Sequence, residues 1–340
     1  MKKYIIACLL VTLFIGCKEK QKEQKQEKVN PEYVALQKKS VSLFGLLPKV
    51  AENPNNPITE EKVALGKKLY FDNKLSKDNT QSCNTCHNLE TYGVDNLSTS
   101  PGNDGSLGTR NSPTVFNAAL HINQFWDGRA EDVEEQAGGP ILNPVEMAMP
   151  SEEEVVIRLS KEEEYNELFK IAFPKDENPI SYKNIQDAIG AFERKLITPS
   201  KFDDFLEGDL TALTDIEVKG LQLFIDKGCV ACHSGSALGG NMHQKFGIFD
   251  DYWKHTQSKK IDEGKFEVTE KESDKYIFKS PSLRNIAKTY PYFHDGSVYD
   301  LKDAIQIMGK VQLNKEFTTE ELEAIFAFLN SLTGELPDDI

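Results

Sequence analysis

Cysteines that could form disulfides are scarce in this sequence. Six cysteines occur in 340 residues, and Cys8 and Cys17 belong to the N-terminal apolar stretch described below. The other four fall into two short motifs, so none is left over for a disulfide framework or a separate metal site. The sequence therefore does not indicate the disulfide-rich fold of a small secreted domain.

Long apolar runs are also missing. The apolar run over residues 4–15 follows Lys2 and Lys3, and it is too short to span a bilayer but typical of a signal peptide. It ends at Phe14-Ile15-Gly16-Cys17, which resembles a bacterial lipobox. We predict a lipoprotein signal over residues 1–17 with a lipid on Cys17; a plain secretory signal is the alternative.

An excess of basic charge is the third absence. The formal net charge is −14 at pH 7, and the lysine-rich segment 18–30 is net basic, so the remaining body is more acidic still. Residues 18–48 are predicted to form a solvated tether and a first helix. The acidic body argues against a nucleic-acid partner, and it suits either the steering of a basic protein partner or solubility alone.

Two C-x-x-C-H motifs carry the strongest functional signal. They are Cys83-Asn84-Thr85-Cys86-His87 and Cys229-Val230-Ala231-Cys232-His233. This spacing lets one turn of backbone present two thiols to one edge of a porphyrin and places the histidine below the iron. We therefore predict two covalently bound haem c groups.

Other interpretations of the cysteines explain less. A zinc site would need two C-x-x-C pairs about 15–20 residues apart, and here the gap is far larger. A thioredoxin-like redox pair would not require a histidine after each motif. Structural disulfides are compatible with an oxidising compartment, but they give no reason for His87 and His233.

The periodicity of the chain predicts a mainly α-helical fold with long loops. Helices are expected near residues 31–46, 59–71, 151–159, 162–172, 182–197, 214–226, 300–308 and 318–332. No convincing alternating strand pattern occurs. We predict an N-terminal haem domain over residues 49–210 and a C-terminal haem domain over residues 211–340.

An internal repeat supports two similar haem domains. Residues 66–72 align with residues 220–226, and each copy precedes its own C-x-x-C-H motif. Further pairs recur at one constant spacing: Ser112-Pro113 with Ser280-Pro281, Asn117 with Asn285, and Phe125-Trp126-Asp127-Gly128 with Phe293-His294-Asp295-Gly296. The two halves are therefore two cytochrome c-like domains with one haem each.

Several of these motifs, with others beside them, resemble the bacterial di-haem cytochrome c peroxidases. The resemblance covers residues 50–335 and rests on residues 82–87, 93–96, 110–117, 124–129, 290–296 and 308–313. It implies a first haem that reduces hydrogen peroxide and a second haem that takes electrons from a small cytochrome c or a cupredoxin.

The same resemblance implies the iron ligands. His87 and His233 are the proximal ligands, and Met308 is the second ligand of the second iron, where a thioether raises the reduction potential. A methionine in a helix is otherwise ordinary core filler, and Met242 is the competing candidate.

Three further residues match the catalytic positions of this family. Glu146 matches the catalytic acid, Gln136 the distal amide that orients peroxide, and Trp126 the tryptophan between the two haems. Without the resemblance, Glu146 would be interpreted as a solvated surface residue. Trp126 would simply pack at a domain joint.

The resemblance also implies a calcium ion, and at one position it breaks down. Asn111, Thr289 and Pro291 match the family's calcium ligands, which supply oxygen atoms. Many members carry a histidine that caps the resting first iron, and this chain has Asn103 there. His121, His243 and His255 are interpreted as surface or packing residues.

Taken together, these features predict a peroxidase that faces the periplasm and is held to a bacterial membrane by a lipid anchor. A di-haem enzyme that oxidises another protein and a non-enzymatic electron-transfer cytochrome are the alternatives. The protein-oxidising relative has a tyrosine where Met308 stands. The oligomeric state, including a homodimer, stays open.

Overall fold

The structure is a computed structural model, which describes residues 30–337. The predicted signal peptide and almost all of the tether lie outside the described residues. Within residues 30–337, no helix is both long and apolar enough to cross a membrane.

Helices dominate the described chain, as the sequence predicts. The α-helices are α1 (Pro31–Phe44), α2 (Glu60–Phe71), α3 (Cys83–Cys86), α4 (Val133–Leu142), α5 (Glu152–Ser160), α6 (Glu163–Ala172), α7 (Tyr182–Glu193), α8 (Lys201–Glu207), α9 (Asp215–Lys227), α10 (Trp253–Thr256), α11 (Phe266–Thr269), α12 (Leu301–Leu313) and α13 (Thr319–Asn330). Single 3₁₀ turns cover Asn73–Leu75, Leu89–Thr91, Ala118–Leu120, Cys229–Ala231 and Glu272–Asp274. Strands β1 (His243–Lys245) and β2 (Ile277–Lys279) pair antiparallel, with His243 opposite Lys279.

Capping residues set the helix boundaries that the sequence predicts. The side chain of Thr59 accepts a hydrogen bond from the backbone of Lys62, and that of Ser151 accepts one from Glu154. Helices α4 and α8 are not among those predicted. Helix α4 contains glycines and a proline, which have poor helix propensity, and α8 is too short for a periodic pattern. The two strands also escape prediction, because three residues cannot show an alternation.

The repeated glycines lie where two helices cross in each half. Helix α2 packs on α7 in the first half, and α9 packs on α13 in the second. A Cβ on Gly66 would lie 1.8 Å from the carbonyl oxygen of Ala188, and one on Gly220 would lie 1.9 Å from that of Ala324. Only glycine permits such a close approach of two backbones, so the repeat marks one shared helix crossing.

Two hydrophobic cores accompany the two crossings. The first core gathers buried residues from Leu65 to Leu196, and the second gathers residues from Phe202 to Leu332. Leu36 and Phe44 of α1 also belong to the second core. The first helix therefore packs on the C-terminal half. Along the chain, the first core ends at Leu196 and the second continues from Phe202, slightly before the domain boundary predicted at residue 210.

The repeated asparagines meet at the joint between the halves. Asn117 and Asn285 both adopt left-handed backbone conformations, with φ of 62° and 60°. Their Nδ2 atoms donate to the same hydroxyl, Thr198 Oγ1, at 2.7 and 2.9 Å. Thr198 is fully buried, so this shared hydrogen bond fixes the two halves against each other.

Candidate functional site

The first attachment motif forms a single helical turn. The backbone N–H of Ser82 donates to Thr85 Oγ1 at 3.0 Å, which closes a capping box at the start of α3. The backbone N–H of His87 donates to the carbonyl of Cys83 at 3.0 Å. Cys83 packs against the first hydrophobic core. The turn therefore holds the two thiols and the imidazole as one unit.

The histidines of both C-x-x-C-H motifs are held by backbone carbonyls. His87 Nδ1 lies 2.9 Å from the carbonyl oxygen of Pro113, and His233 Nδ1 lies 3.3 Å from that of Leu238. A carbonyl can only accept, so Nδ1 carries the proton and Nε2 keeps its lone pair for a metal. Burial lowers the pKa of His87, and it lowers the pKa of His233 to about 4. Both rings are thus neutral and could each bind a metal through Nε2.

A cavity of about 320 Å³ adjoins the second motif. Cys229, Cys232 and His233 line it together with Met308, and most of the other lining residues are apolar. Met242, the competing ligand, is not among the described residues that line this cavity. Two thiols, an imidazole and a thioether in one apolar cavity fit a covalently bound haem c with histidine and methionine ligands.

The four motif cysteines are present as thiols and form no disulfide. Burial raises the pKa of Cys86 and of Cys229 to about 11 each. Burial likewise raises the pKa of Cys83 and of Cys232. Partly buried thiols with raised pKa values suit attachment to a cofactor better than a redox exchange role, which needs an acidic, exposed thiol.

Glu146 lies beside the first motif. Burial raises the pKa of its carboxyl group, although the charge of Arg129 and a hydrogen bond with Asn143 oppose that shift. The charge of Glu146 in turn helps to raise the pKa of Cys86. The carboxyl group is therefore half-buried and close to the first attachment motif, and its pKa lies above that of an ordinary glutamate.

Gln136 and Trp126 lie on other segments of the chain. Gln136 is half-buried on α4, and the segment that follows this helix carries Glu146. Trp126 lines both the 320 Å³ cavity and a second cavity of about 80 Å³. Its Nε1 donates to the carbonyl of Asn111 at 2.9 Å, which fixes the indole between the two cavities.

Comparison with known proteins decides the family. The family model for di-haem cytochrome c peroxidase matches residues 60–211, and the cytochrome c model matches residues 217–333. The cytochrome c551 peroxidase of Pseudomonas aeruginosa is 47% identical over 89% of this chain and 88% of its own length. The chain belongs to the di-haem cytochrome c peroxidase family.

Other relatives agree with this assignment. The cytochrome c551 peroxidase of Nitrosomonas europaea is also 47% identical, over 83% of both chains. Proteins named methylamine utilization protein MauG are more distant, at 32–36% identity. The crystal structure of a MauG-like protein associated with microbial copper homeostasis superposes with a TM-score of 0.76 at 29% identity, covering 85% of this chain and 94% of that one. The predictions of a di-haem peroxidase with two haem c groups are thereby confirmed.

The three candidate calcium ligands come together in this peroxidase. Asn111, Thr289 and Pro291 all line the 80 Å³ cavity, although they come from different halves of the chain. The Nδ2 of Asn111 donates to the carbonyl of Leu97 at 2.8 Å, which leaves its Oδ1 for a cation. Among the described residues, no group of three or more His, Cys, Asp or Glu side chains could hold a metal.

The segment around Asn103 is more ordered than its glycines suggest. Asn103 Oδ1 accepts from the backbone of Asp78 at 3.1 Å and from Thr80 Oγ1 at 3.2 Å, and Nδ2 donates to Asp78 Oδ2 at 2.7 Å. Its backbone N–H donates to the carbonyl of Glu146 at 2.7 Å. The glycines and proline around Asn103 predict a flexible loop. Instead, these hydrogen bonds hold Asn103 in a turn that is anchored to neighbouring segments.

Three other histidines, His121, His243 and His255, each have one protein partner. His255 Nε2 lies 2.8 Å from Asp250 Oδ2, His243 Nε2 lies 3.4 Å from Asn123 Nδ2, and His121 Nδ1 lies 3.3 Å from Lys279 Nζ. None of the three lines the 320 Å³ cavity.

Sequence reasoning missed the role of the repeated Ser-Pro pairs. The carbonyl of Pro113 holds His87, and the carbonyl of Pro281 is a second hydrogen-bond partner of His233. The signal was present as a repeat, but a backbone carbonyl has no residue signature that would reveal its target.

Proposed function

We propose that this peroxidase reduces hydrogen peroxide to water with electrons from a small redox protein, a cytochrome c or a cupredoxin. The observation that carries the proposal is Met308 in the same cavity as Cys229, Cys232 and His233. A thioether ligand favours the reduced iron and so suits a site that stores an electron from a donor. The haems, when bound, supply the iron through which electrons reach peroxide.

The protein's own residues would hold the two groups and manage protons. Cys83, Cys86 and His87 hold the first haem. Glu146 takes the proton from one peroxide oxygen and returns it to the other, which its raised pKa and half-buried position support. Gln136 orients the peroxide through its amide.

Trp126 would lie on the path between the two haem sites. It belongs to the first half of the chain and lines the 320 Å³ cavity of the second motif, which supports this role. Asn111, through Oδ1, and the carbonyl groups of Thr289 and Pro291 would hold one calcium ion, with water completing the shell. Oxygen atoms of this kind are hard ligands and suit that ion.

The N-terminal features support a periplasm-facing protein with a lipid on Cys17. The proposed domains are the N-terminal peroxidatic domain, residues 49–210, and the C-terminal electron-transfer domain, residues 211–340. Acidic surface charge suits a donor that is basic on its docking face.

The test is peroxide-dependent oxidation of a reduced cytochrome c by the purified holoprotein, after its mass has been shown to include two covalent haems. We expect turnover that depends on both peroxide and enzyme. Holoprotein with two haems but no turnover, with cytochrome c or with a cupredoxin, would contradict the proposal and favour a plain electron-transfer role. The protein-oxidising alternative requires covalent oxidation of a protein substrate in place of simple donor turnover.

A further inference from the structure

Lys279 is a buried cation at the boundary between the two cavities. It ends strand β2, its residue is only 6% exposed, and it lines both the 320 Å³ and the 80 Å³ cavity. Its backbone N–H donates to the carbonyl of Trp126 at 2.7 Å. Lys279 therefore lies next to Trp126, where the two cavities adjoin.

The ammonium group of Lys279 has no carboxylate partner among residues 30–337. Its Nζ donates to the carbonyl of Asn123 at 2.8 Å and contacts His121 Nδ1 at 3.3 Å. Asp127, the acid whose charge acts on it, already pairs with Arg110 and Arg129. A buried charge without a counter-ion is strongly unfavourable, and burial lowers the pKa of Lys279 to about 7. An anion supplied from outside the polypeptide would remove this penalty.

His121, which contacts Lys279, has a ring nitrogen that can serve as a further hydrogen-bond donor. If Lys279 donates to His121 Nδ1, the proton of the neutral ring lies on Nε2. This Nε2 is buried and has no hydrogen-bond partner among the described residues. An ammonium group and an imidazole N–H on one small cavity wall are the donors that a carboxylate needs.

The internal repeat places Lys279 at the position that Asn111 occupies in the first half. Lys279-Ser280-Pro281 aligns with Asn111-Ser112-Pro113 at the spacing shared by the other repeated pairs. In the first half, this position holds Asn111, one of the proposed ligands of a cation. In the second half, the same position is Lys279, whose own side chain is a cation.

We propose that Lys279, assisted by His121, binds the propionate groups of the second haem and raises the reduction potential of that haem. In a c-type haem the cysteines hold the vinyl edge, and the propionates leave from the opposite edge of the porphyrin. Cys229 and Cys232 fix the vinyl edge in the 320 Å³ cavity, and Lys279 lines the wall that the cavity shares with Trp126 and the smaller cavity. The inference rests on the placement of the second haem proposed above.

The sign of the effect follows from the charge of the iron. The oxidised haem carries one more positive charge than the reduced haem, so a nearby ammonium favours reduction. Removing it also leaves the propionates uncompensated, which favours the oxidised iron. Both changes lower the potential.

The experiment compares Lys279→Met with Lys260→Met in the full holoprotein, by redox titration followed through the spectra of both haems. Lys260 is exposed, so its variant controls for a general loss of one positive charge. We expect Lys279→Met to lower the reduced-to-oxidised ratio of the methionine-ligated haem about tenfold at a fixed potential, which is ~59 mV for one electron. Lys260→Met should leave the potential of the second haem unchanged. Lys279→Arg keeps the positive charge, so its potential should stay close to that of the wild type.

Three results would overturn the inference: an unchanged potential in Lys279→Met with two haems attached, an equal shift in Lys260→Met, or a shift confined to the first haem. If Lys279→Met does not accumulate with two haems, Lys279→Gln is measured in the same way and must show the same fall. A wild-type protein whose second haem lacks a methionine-ligated spectrum would contradict the haem placement itself, which the potentials of the variants do not test.

Discussion

Asn103 gives the sharpest prediction, because it stands where many members of this family carry a histidine that caps the resting first iron. An amide is a poor iron ligand, since its nitrogen has no free lone pair and its oxygen binds weakly. The structure adds a second reason, because three side-chain hydrogen bonds tie Asn103 to Asp78 and Thr80. We therefore predict a first haem that is open, or bound only by water, in the fully oxidised protein.

The perturbation is Asn103→His, with Asn103→Ala as its matched control. Both variants lose the three hydrogen bonds, which are solvent-exposed and contribute at the low end of the usual range, ~0.5 kcal/mol each. Their loss would lower the free energy needed to open the turn by about 1.5 kcal/mol, which corresponds to a rise on the order of tenfold in the population of the open turn. Only the histidine variant also supplies a ligand that can reach the iron.

The assay is the spin state of the as-isolated oxidised protein, paired with the time course of peroxide reduction before and after mild reduction. Wild type and Asn103→Ala should show a high-spin first haem and immediate turnover. Asn103→His should show a low-spin first haem and a lag that mild reduction abolishes. A purely low-spin wild-type spectrum with a long lag would refute the reasoning, as would a lag in Asn103→Ala.

Three further predictions concern single residues. Met308→Ala should lower the potential of the second haem and slow donor oxidation, while Met242→Ala leaves both unchanged; a preserved methionine-ligated spectrum in Met308→Ala would make Met242 the ligand. Glu146→Gln should slow peroxide reduction by about 10²–10⁴. Because burial raises the pKa of Glu146 and the ionised form accepts the proton, wild-type turnover should fall as pH drops through a pKa above that of an ordinary glutamate, and this limb should vanish in the variant. Gly66→Ala should destabilise the protein by ~1–3 kcal/mol in denaturant unfolding, because the added methyl group would lie 1.8 Å from the backbone of α7. Gly108→Ala, where the nearest atom is 4.0 Å away, should have little effect, and equal losses in both would contradict the close-crossing argument.

The sequence determined the features that depend on neighbouring residues. The C-x-x-C-H spacing indicated both haem attachment points, because one turn of backbone is enough to present two thiols and an imidazole. Thr59 and Ser151 marked helix starts, since a cap satisfies N–H groups only two or three residues away. The repeat indicated two similar halves, because matched residues recur along the chain in the same order.

Tertiary structure alone decided which distant groups meet. The carbonyl of Pro113 contacts the imidazole of His87. The hydroxyl of Thr198 accepts hydrogen bonds from both repeated asparagines, and Lys279 lines two cavities. These contacts are made by backbone atoms or by side chains far apart in sequence, and the folded path of the chain, which no local pattern records, brings them together. The tied turn at Asn103 has the same origin, because its partners, Asp78 and Thr80, lie on a separate loop that only folding brings beside it.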